Sequence, residues 1–252
     1  MYLNRIAVEA DVRVLIGTIE PHPQAGFGGG LKNLLPGLAA AITIGHNHLL
    51  TPSAAHYSLV GYPPDENPMR IDLEEGAKLI PRGCTFLVNV VLNPTLDPVA
   101  VVAGDPIEAH RAGVHIARTL YGVLLPRPVD VVMTNAHPLD ADMRQAGKAL
   151  LNCAPACRRG GVILGFLRCP EGLANVRLPR LILPFPWLRA LARGLGDRGI
   201  ALVTRRLVPA VPPEARFLLR LTLHMLKDYH VLIYSPRLHK DCLLYTSPSP
   251  RD

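Results

Sequence analysis

Between Ile19 and His48 the sequence reads IEPHPQAGFGGGLKNLLPGLAAAITIGHNH and gathers several side chains that carry chemistry. His22 has an imidazole whose ordinary pKa suits proton transfer near neutral pH. His46-x-His48 supplies two more imidazoles, a ligand type that suits Zn, Cu, Fe and Ni. No nearby cysteine or carboxylate completes a set of protein ligands, so a metal here needs donors from a cofactor. Gly28, Gly29 and Gly30 precede Lys32. Glycine costs roughly 0.5–1 kcal/mol relative to alanine inside regular structure, so such a run is read as backbone that turns sharply or approaches something closely. One reading is a nest of backbone N–H groups that cradles a phosphate, helped by a helix N-terminus. The stretch is not an ordinary P-loop, because Asn33 follows Lys32 where a hydroxyl belongs, and Leu31 breaks the dinucleotide pattern GxGxxG. The plain alternative for His46 and His48 is that they end a helix, where polar or cationic residues are favoured.

Val12 to Ile19 is an apolar, β-branched strand that feeds this stretch, after a short helical tail over Met1 to Ala10. The glycine loop is expected to open a helical segment, interrupted at Pro36-Gly37, that runs to His48. IDLEEGAKLI suggests a short helix, and CTFLVNVVLN and PVAVVAGD suggest a hairpin turned by NPTLD. Pro106 to Tyr121 has helical periodicity, with Pro106 in its first turn. Two apolar runs without alternation, VDVVMTN and GGVILGF, read as strands buried on both faces, and Asp140 to Ala154 between them reads as a helix. Further helices over Leu183 to Leu195 and Pro213 to Lys227, with strands over Ile200 to Thr204 and His230 to Tyr234, complete the alternation. The fold class is α/β: two α/β domains with an inter-domain cleft, the C-terminal one with a Rossmann-like, mainly parallel sheet. The expected domains are 1–108 and 109–241.

The chain has 252 residues, 49% of them apolar and 19% charged, enough for a substantial core. Its apolar runs are shorter than the ~20 residues that span a bilayer. The N-terminus lacks the order of a signal peptide, so a cytoplasmic location with no membrane association is expected. A net charge of +7 comes without aromatic interleaving or a nucleic-acid module, which favours a small anionic ligand over nucleic acid. The five cysteines show no zinc spacing and read as buried thiols. His110 and His115 read as structural.

His22, Lys32 and His48 stand in the frame EPHxxAGFGGGxKxxxPG…NH, ten residues from the first to the second and sixteen to the third. That frame resembles the core signature of the nickel-dependent lactate racemase family. TNAHPLDADMRQAGK (Thr134 to Lys148) is similar to that family's TNGGYPLDxNxYQAxK segment. The resemblance implies racemisation or epimerisation of a 2-hydroxy acid by hydride transfer to and from a nickel pincer cofactor. That cofactor is nickel pyridinium-3,5-bisthiocarboxylic acid mononucleotide, held covalently on Lys32, with His48 as protein ligand to nickel. It further implies His22 as general acid/base, Gly28 to Gly30 beside the mononucleotide, and Gln145 and Lys148 on the substrate carboxylate. Cofactor-synthesis enzymes are the implied partners.

Arg144 replaces the family's tyrosine, and Ala136-His137 replaces Gly-Gly or Gly-Tyr, which opens the choice of 2-hydroxy acid beyond lactate. The family's second catalytic histidine and its substrate-binding Asp and Arg lie upstream of the EPH motif, in a region this chain does not contain. The chain by itself is therefore expected to be inactive. Cys242 to Asp252 resembles translated sequencing adapter and is expected to be a scar. Two other readings stay open: a nucleotide- or phosphate-binding α/β protein without nickel, and a protein that holds the nickel cofactor without turnover.

Overall fold

Strand β1 (Val12–Thr18) alternates buried Arg13 and Leu15 with exposed Val12, Val14 and Ile16, the period-2 pattern of a half-covered strand. It pairs in parallel with β4 (Cys84–Leu92), which in turn pairs antiparallel with β5 (Pro98–Gly104). The computed structural model describes residues 1–53, 57–173, 185–206 and 212–238. Over these the chain divides into two units, Met1–Thr51 with Leu59–Leu124, and Pro52–Ser58 with Leu125–Asp252.

The first unit holds the β1-β4-β5 sheet, the short helix α1 (Arg5–Glu9) and a two-strand ribbon, β2 (Pro21–His22) with β3 (Gly26–Phe27). Helices α2 (Ala41–His48), α3 (Pro68–Lys78) and α4 (Glu108–Tyr121) complete it. Asn67 caps α3, its Oδ1 accepting from Arg70 N at 3.0 Å, with Pro68 at the first helical position. Asp105 does the same for α4, accepting from the amides of Ile107 and Glu108. The predicted hairpin is present; Asn93 Oδ1 gathers the amides of Thr95 and Asp97 at its turn. The first unit runs to Leu124 and so includes the whole of α4, at whose start the sequence pattern suggests a boundary. Val114 and Ala117 of α4 pack with Ile19, Phe27 and Val91, which ties the helix to the first core.

The glycine loop does not open a helix. Only a 3-10 turn follows it, Gly30–Asn33, and α2 begins afresh at Ala41.

In the second unit β6 (Val129–Asn135), β7 (Cys157–Phe166) and β8 (His230–Tyr234) form a parallel sheet in the order β6-β7-β8. Helix α5 (Met143–Cys153) connects the first two strands, and α6 (Phe185–Arg206) and α7 (Pro213–Asp228) lie between the last two. This is the expected Rossmann-like parallel arrangement. VDVVMTN is not buried on both faces, however: β6 is an edge strand with Val129, Val131 and Met133 exposed. β7 also alternates, burying Gly161, Ile163 and Gly165.

Ile200 to Thr204 is helical rather than a strand. It belongs to α6, which breaks at Gly196 (φ +57°). Ile200 is buried with Leu188, Ala192, Leu219, Leu223 and Leu226, a helix-on-helix contact that overrides β-branched propensity. The start of the helix expected from Leu183 and the segment Cys242 to Asp252 lie outside the described residues. Of the cysteines described, Cys84 is exposed, Cys153 half-buried, and Cys157 and Cys169 buried. No helix among the described residues is long and apolar enough to cross a membrane.

Candidate functional site

His22 ends β2, and the three residues Pro23, Gln24 and Ala25 carry the chain round to β3. Gly26 closes the turn at φ +73°, where a side chain would run into the carbonyl of Tyr62. The His22 ring is buried and faces into this turn. Its Nδ1 accepts from the amides of Gln24 at 3.2 Å and Ala25 at 3.1 Å. Those contacts make Nδ1 the acceptor nitrogen and place the ring proton of neutral His22 on Nε2.

His48, in the last turn of α2, is set the other way. Its Nδ1 lies 2.8 Å from the carbonyl oxygen of Ile44, to which only an N–H can donate. Nε2 therefore carries the lone pair, the arrangement of a metal-ligating histidine oriented by a backbone carbonyl. His46 lies exposed on the same helix.

A buried hydrogen-bonded path joins the two histidines. Gln24 Oε1 accepts from Thr51 Oγ1 at 2.5 Å, and Thr51 Oγ1 lies 3.1 Å from the carbonyl oxygen of His48. Asn67 Nδ2 donates to the Gln24 carbonyl, tying the His22 turn to the cap of α3.

Two of the three glycines have a packing explanation. Gly29 (φ +69°) and Gly30 (φ +64°) both adopt left-handed backbone. A Cβ on Gly29 would lie 2.5 Å from Asn89 Oδ1, and one on Gly30 would lie 2.8 Å from the His110 ring. The loop's polar groups are largely claimed by protein. Arg70 donates to the carbonyls of Phe27 (2.5 Å) and Gly29 (3.1 Å), and His110 Nε2 donates to that of Gly28 (2.9 Å). The Gly28 amide donates to Glu20 O, and the Gly30 amide to Asn89 Oδ1 at 2.7 Å.

A run of consecutive amides open to a phosphate is thus not what this loop offers, and no helix dipole backs it. Gly29 and Gly30 pass tightly over Asn89 and His110, just ahead of Lys32. Lys32 sits half-buried in the 3-10 turn, its amide donating to Gly29 O, while Asn33 Nδ2 donates to Ile16 O and pins the turn to β1.

Arg70, Asn89 and His110 form the part of this region that sequence reasoning missed. Arg70 is fully buried, and burial lowers its pKa to about 10, so it remains charged at neutral pH. Burial, with Arg70 nearby, pushes His110 down to about 3, so its ring is neutral. One signal was legible: Asn89 is an amide at an inward position of an otherwise apolar strand, between Leu87 and Val91.

Gln145 and Lys148 belong to the second unit, on α5. Asp142 caps that helix, its Oδ1 accepting from Gln145 N at 2.8 Å. Gln145 is exposed and Lys148 half-buried. Nearby, fully buried Asp140 accepts from the Arg168 amide, Nε and Nη2. Those bonds from Arg168 hold its carboxyl at about 2. A cavity of about 270 Å³ opens beyond the C-terminal ends of β6, β7 and β8, lined by Asn135, His137, Phe166, Arg168 and Tyr234. That end of a parallel sheet is where open α/β folds place their ligands.

The family model for the lactate racemase N-terminal domain matches residues 1–58. Lactate racemase from Thermoanaerobacterium thermosaccharolyticum is 34% identical over 172 residues, which is 68% of this chain and 39% of that protein. Lactate racemase from Lactiplantibacillus plantarum is 30% identical over 167 residues, 64% of this chain and 38% of that protein. The chain belongs to the lactate racemase family. It superposes on the lactate racemase apoprotein of T. thermosaccharolyticum with a TM-score of 0.73 and 25% identity, over 98% of this chain and 57% of that one. A Thermotoga maritima protein shares the fold, with a TM-score of 0.67 and 18% identity over 96% of this chain and 61% of that one. The chain thus spans about two fifths of the curated lactate racemases it matches.

Proposed function

We propose that this chain contributes the cofactor-holding and acid/base residues of an isomerase that racemises lactate or a closely related 2-hydroxy acid. The reading is supported above all by His48, whose Nδ1 bond to Ile44 leaves Nε2 as the donor nitrogen a metal requires. Among the described residues no three His, Cys, Asp or Glu side chains are grouped to hold a metal. A metal at His48 would therefore draw its other ligands from an organic group, which fits a nickel pincer. When bound, that cofactor would supply a hydride acceptor beside the substrate.

The chain's own residues do the rest. Lys32 presents an amine for covalent attachment from a turn whose backbone is already set. His48 gives its Nε2 lone pair to nickel. Gln145 and Lys148 bind the substrate carboxylate, Lys148 as a point charge.

His22 exchanges the proton of the substrate hydroxyl, and its surroundings set a condition on that step. To accept a proton on Nε2 the ring must carry its other proton on Nδ1, which now receives two amides. Those bonds must be given up, at about 0.5–1.5 kcal/mol each. The turn over Pro23 to Ala25 is the part that has to yield.

The test is intact mass and nickel content after co-expression with cofactor-synthesis enzymes, beside a Lys32→Ala control, with loss of optical rotation of L-lactate followed in parallel. A mass adduct with one nickel, absent from the control, is the expected result. A folded protein with neither defeats the reading. An adduct without turnover, in this chain and in an N-terminally extended one alike, would assign it to cofactor holding alone.

A further inference from the structure

We infer that Arg70, Asn89 and His110, with Arg111 behind them, are positioning residues that fix the direction in which Lys32 leaves the glycine loop. The inference rests on Lys32 being the cofactor anchor. Four successive residues, Phe27 to Gly30, each have one backbone group taken by one of these side chains. All three are buried to 1% exposure or less. Gly29 O is shared: it accepts from Arg70 and also from the amide of Lys32, so the guanidinium acts on the residue that closes the Lys32 turn.

A chain of contacts from the surface sets the His110 ring. Asp65 and Glu74 both bind the Arg111 guanidinium, with contacts of 2.7 to 3.0 Å. Arg111 Nη1 then donates to His110 Nδ1 at 3.2 Å. With Nδ1 engaged as acceptor, the ring proton must sit on Nε2, where it meets Gly28 O. The carboxylates orient the arginine, the arginine selects the tautomer, and the tautomer holds the carbonyl. A simple core-filling role needs none of this, since a hydrophobic side chain of similar size would fill the same space, yet it would leave the Gly28 carbonyl without a donor.

A positioned anchor can be read without any cofactor, from the chemical reactivity of the lysine. The experiment is competitive acetylation of the full chain followed by mass spectrometry, taking the rate at Lys32 relative to that at Lys78. Variants are His110→Gln, whose amide N–H can still reach Gly28 O, and His110→Phe, which cannot donate. The expected result is a relative rate at Lys32 raised about fivefold in His110→Phe, the equivalent of one lost hydrogen bond, and within about twofold of wild type in His110→Gln. An unchanged ratio in His110→Phe overturns the inference.

If that variant does not fold, Arg111→Met leaves the ring in place and removes its selector. Ring ¹⁵N shifts of His110 should then pass from a single Nε2–H form to a mixture while Lys32 becomes more reactive. No change in either overturns the inference. The outcome is separable from the cofactor reading, because absence of nickel in the co-expressed wild type would defeat that reading and leave the labelling result standing.

Discussion

Around the glycine loop, Arg70, Asn89 and His110 are buried and bind backbone. Around α5, Gln145 and Arg144 face solvent, and Arg168, the partner of buried Asp140, has a side chain that is 58% exposed. The difference is one of what must be settled before a ligand arrives. Under the proposed function, a lysine that forms a covalent bond and a histidine that donates to a metal need their geometry held by neighbours that cannot relax. Residues that grip a small carboxylate can approach it from a solvated helix face, where long side chains still adjust. The cost of the first arrangement is a set of buried polar groups, each of which is expensive if its partner is lost. The second has little to lose.

The largest contrast should come from the proposed anchor and metal ligand themselves. Lys32→Ala should remove the proposed covalent adduct completely, and His48→Ala should abolish nickel retention while leaving the apoprotein folded, as read by elemental analysis and far-UV circular dichroism. Gln145→Ala should leave nickel content unchanged. If it also empties the protein of nickel, the two regions are not divided as described.

Next come the supports. Asn89→Leu leaves the Gly30 amide buried without an acceptor and should cost about 1–3 kcal/mol in urea unfolding. Gly30→Ala forces a side chain into left-handed backbone against the His110 ring and should cost a similar ~1–3 kcal/mol. Neither effect should be matched by substitutions at exposed Arg144, expected within about 0.5 kcal/mol.

Acid should separate the regions in order. His110 is held neutral, near 3 against an ordinary 6.5, so the unfolded chain binds its proton first. Its contribution to stability is complete above pH 6.5 and is lost as pH falls from there towards 3. Asp140 is held ionised, at about 2 against 3.8, so its contribution is complete above 3.8 and is lost only as pH falls towards 2. Hydrogen exchange at pH 5 should therefore rise in Phe27 to Lys32 and not in Asp140 to Cys169. His110→Gln should remove that acid sensitivity of the loop. Equal loss in both regions at pH 5 would contradict the pairing described for His110.

The smallest effect is expected at Gln145→Ala: a folding stability unchanged to within about 0.5 kcal/mol. The KM for lactate should nonetheless rise in a loaded, active protein.

The sequence alone was enough to single out the candidate site residues and the elements nearest them. His22, Lys32 and His48 stood out by type and spacing, and β1, the β4-β5 hairpin, α4 and the parallel strands of the second unit followed from apolar pattern and turn chemistry. These are properties of neighbours along the chain, so they are readable in one dimension. What surrounds those residues was not readable. Arg70 did not stand out in the sequence, and His110 read only as a structural histidine. Ile200 to Thr204 looked like a strand because the helix partner that buries it lies further along the chain.

Only the tertiary structure decided that Gly29 and Gly30 lie too close to Asn89 and His110 for a side chain, and that His22 and His48 hold their ring protons on opposite nitrogens. It also decided which carbonyls Arg70 and His110 satisfy. The physical reason is the same in each case. A tautomer, a close approach and a buried hydrogen bond are set by the group on the other side of the contact, and that group comes from a distant part of the chain.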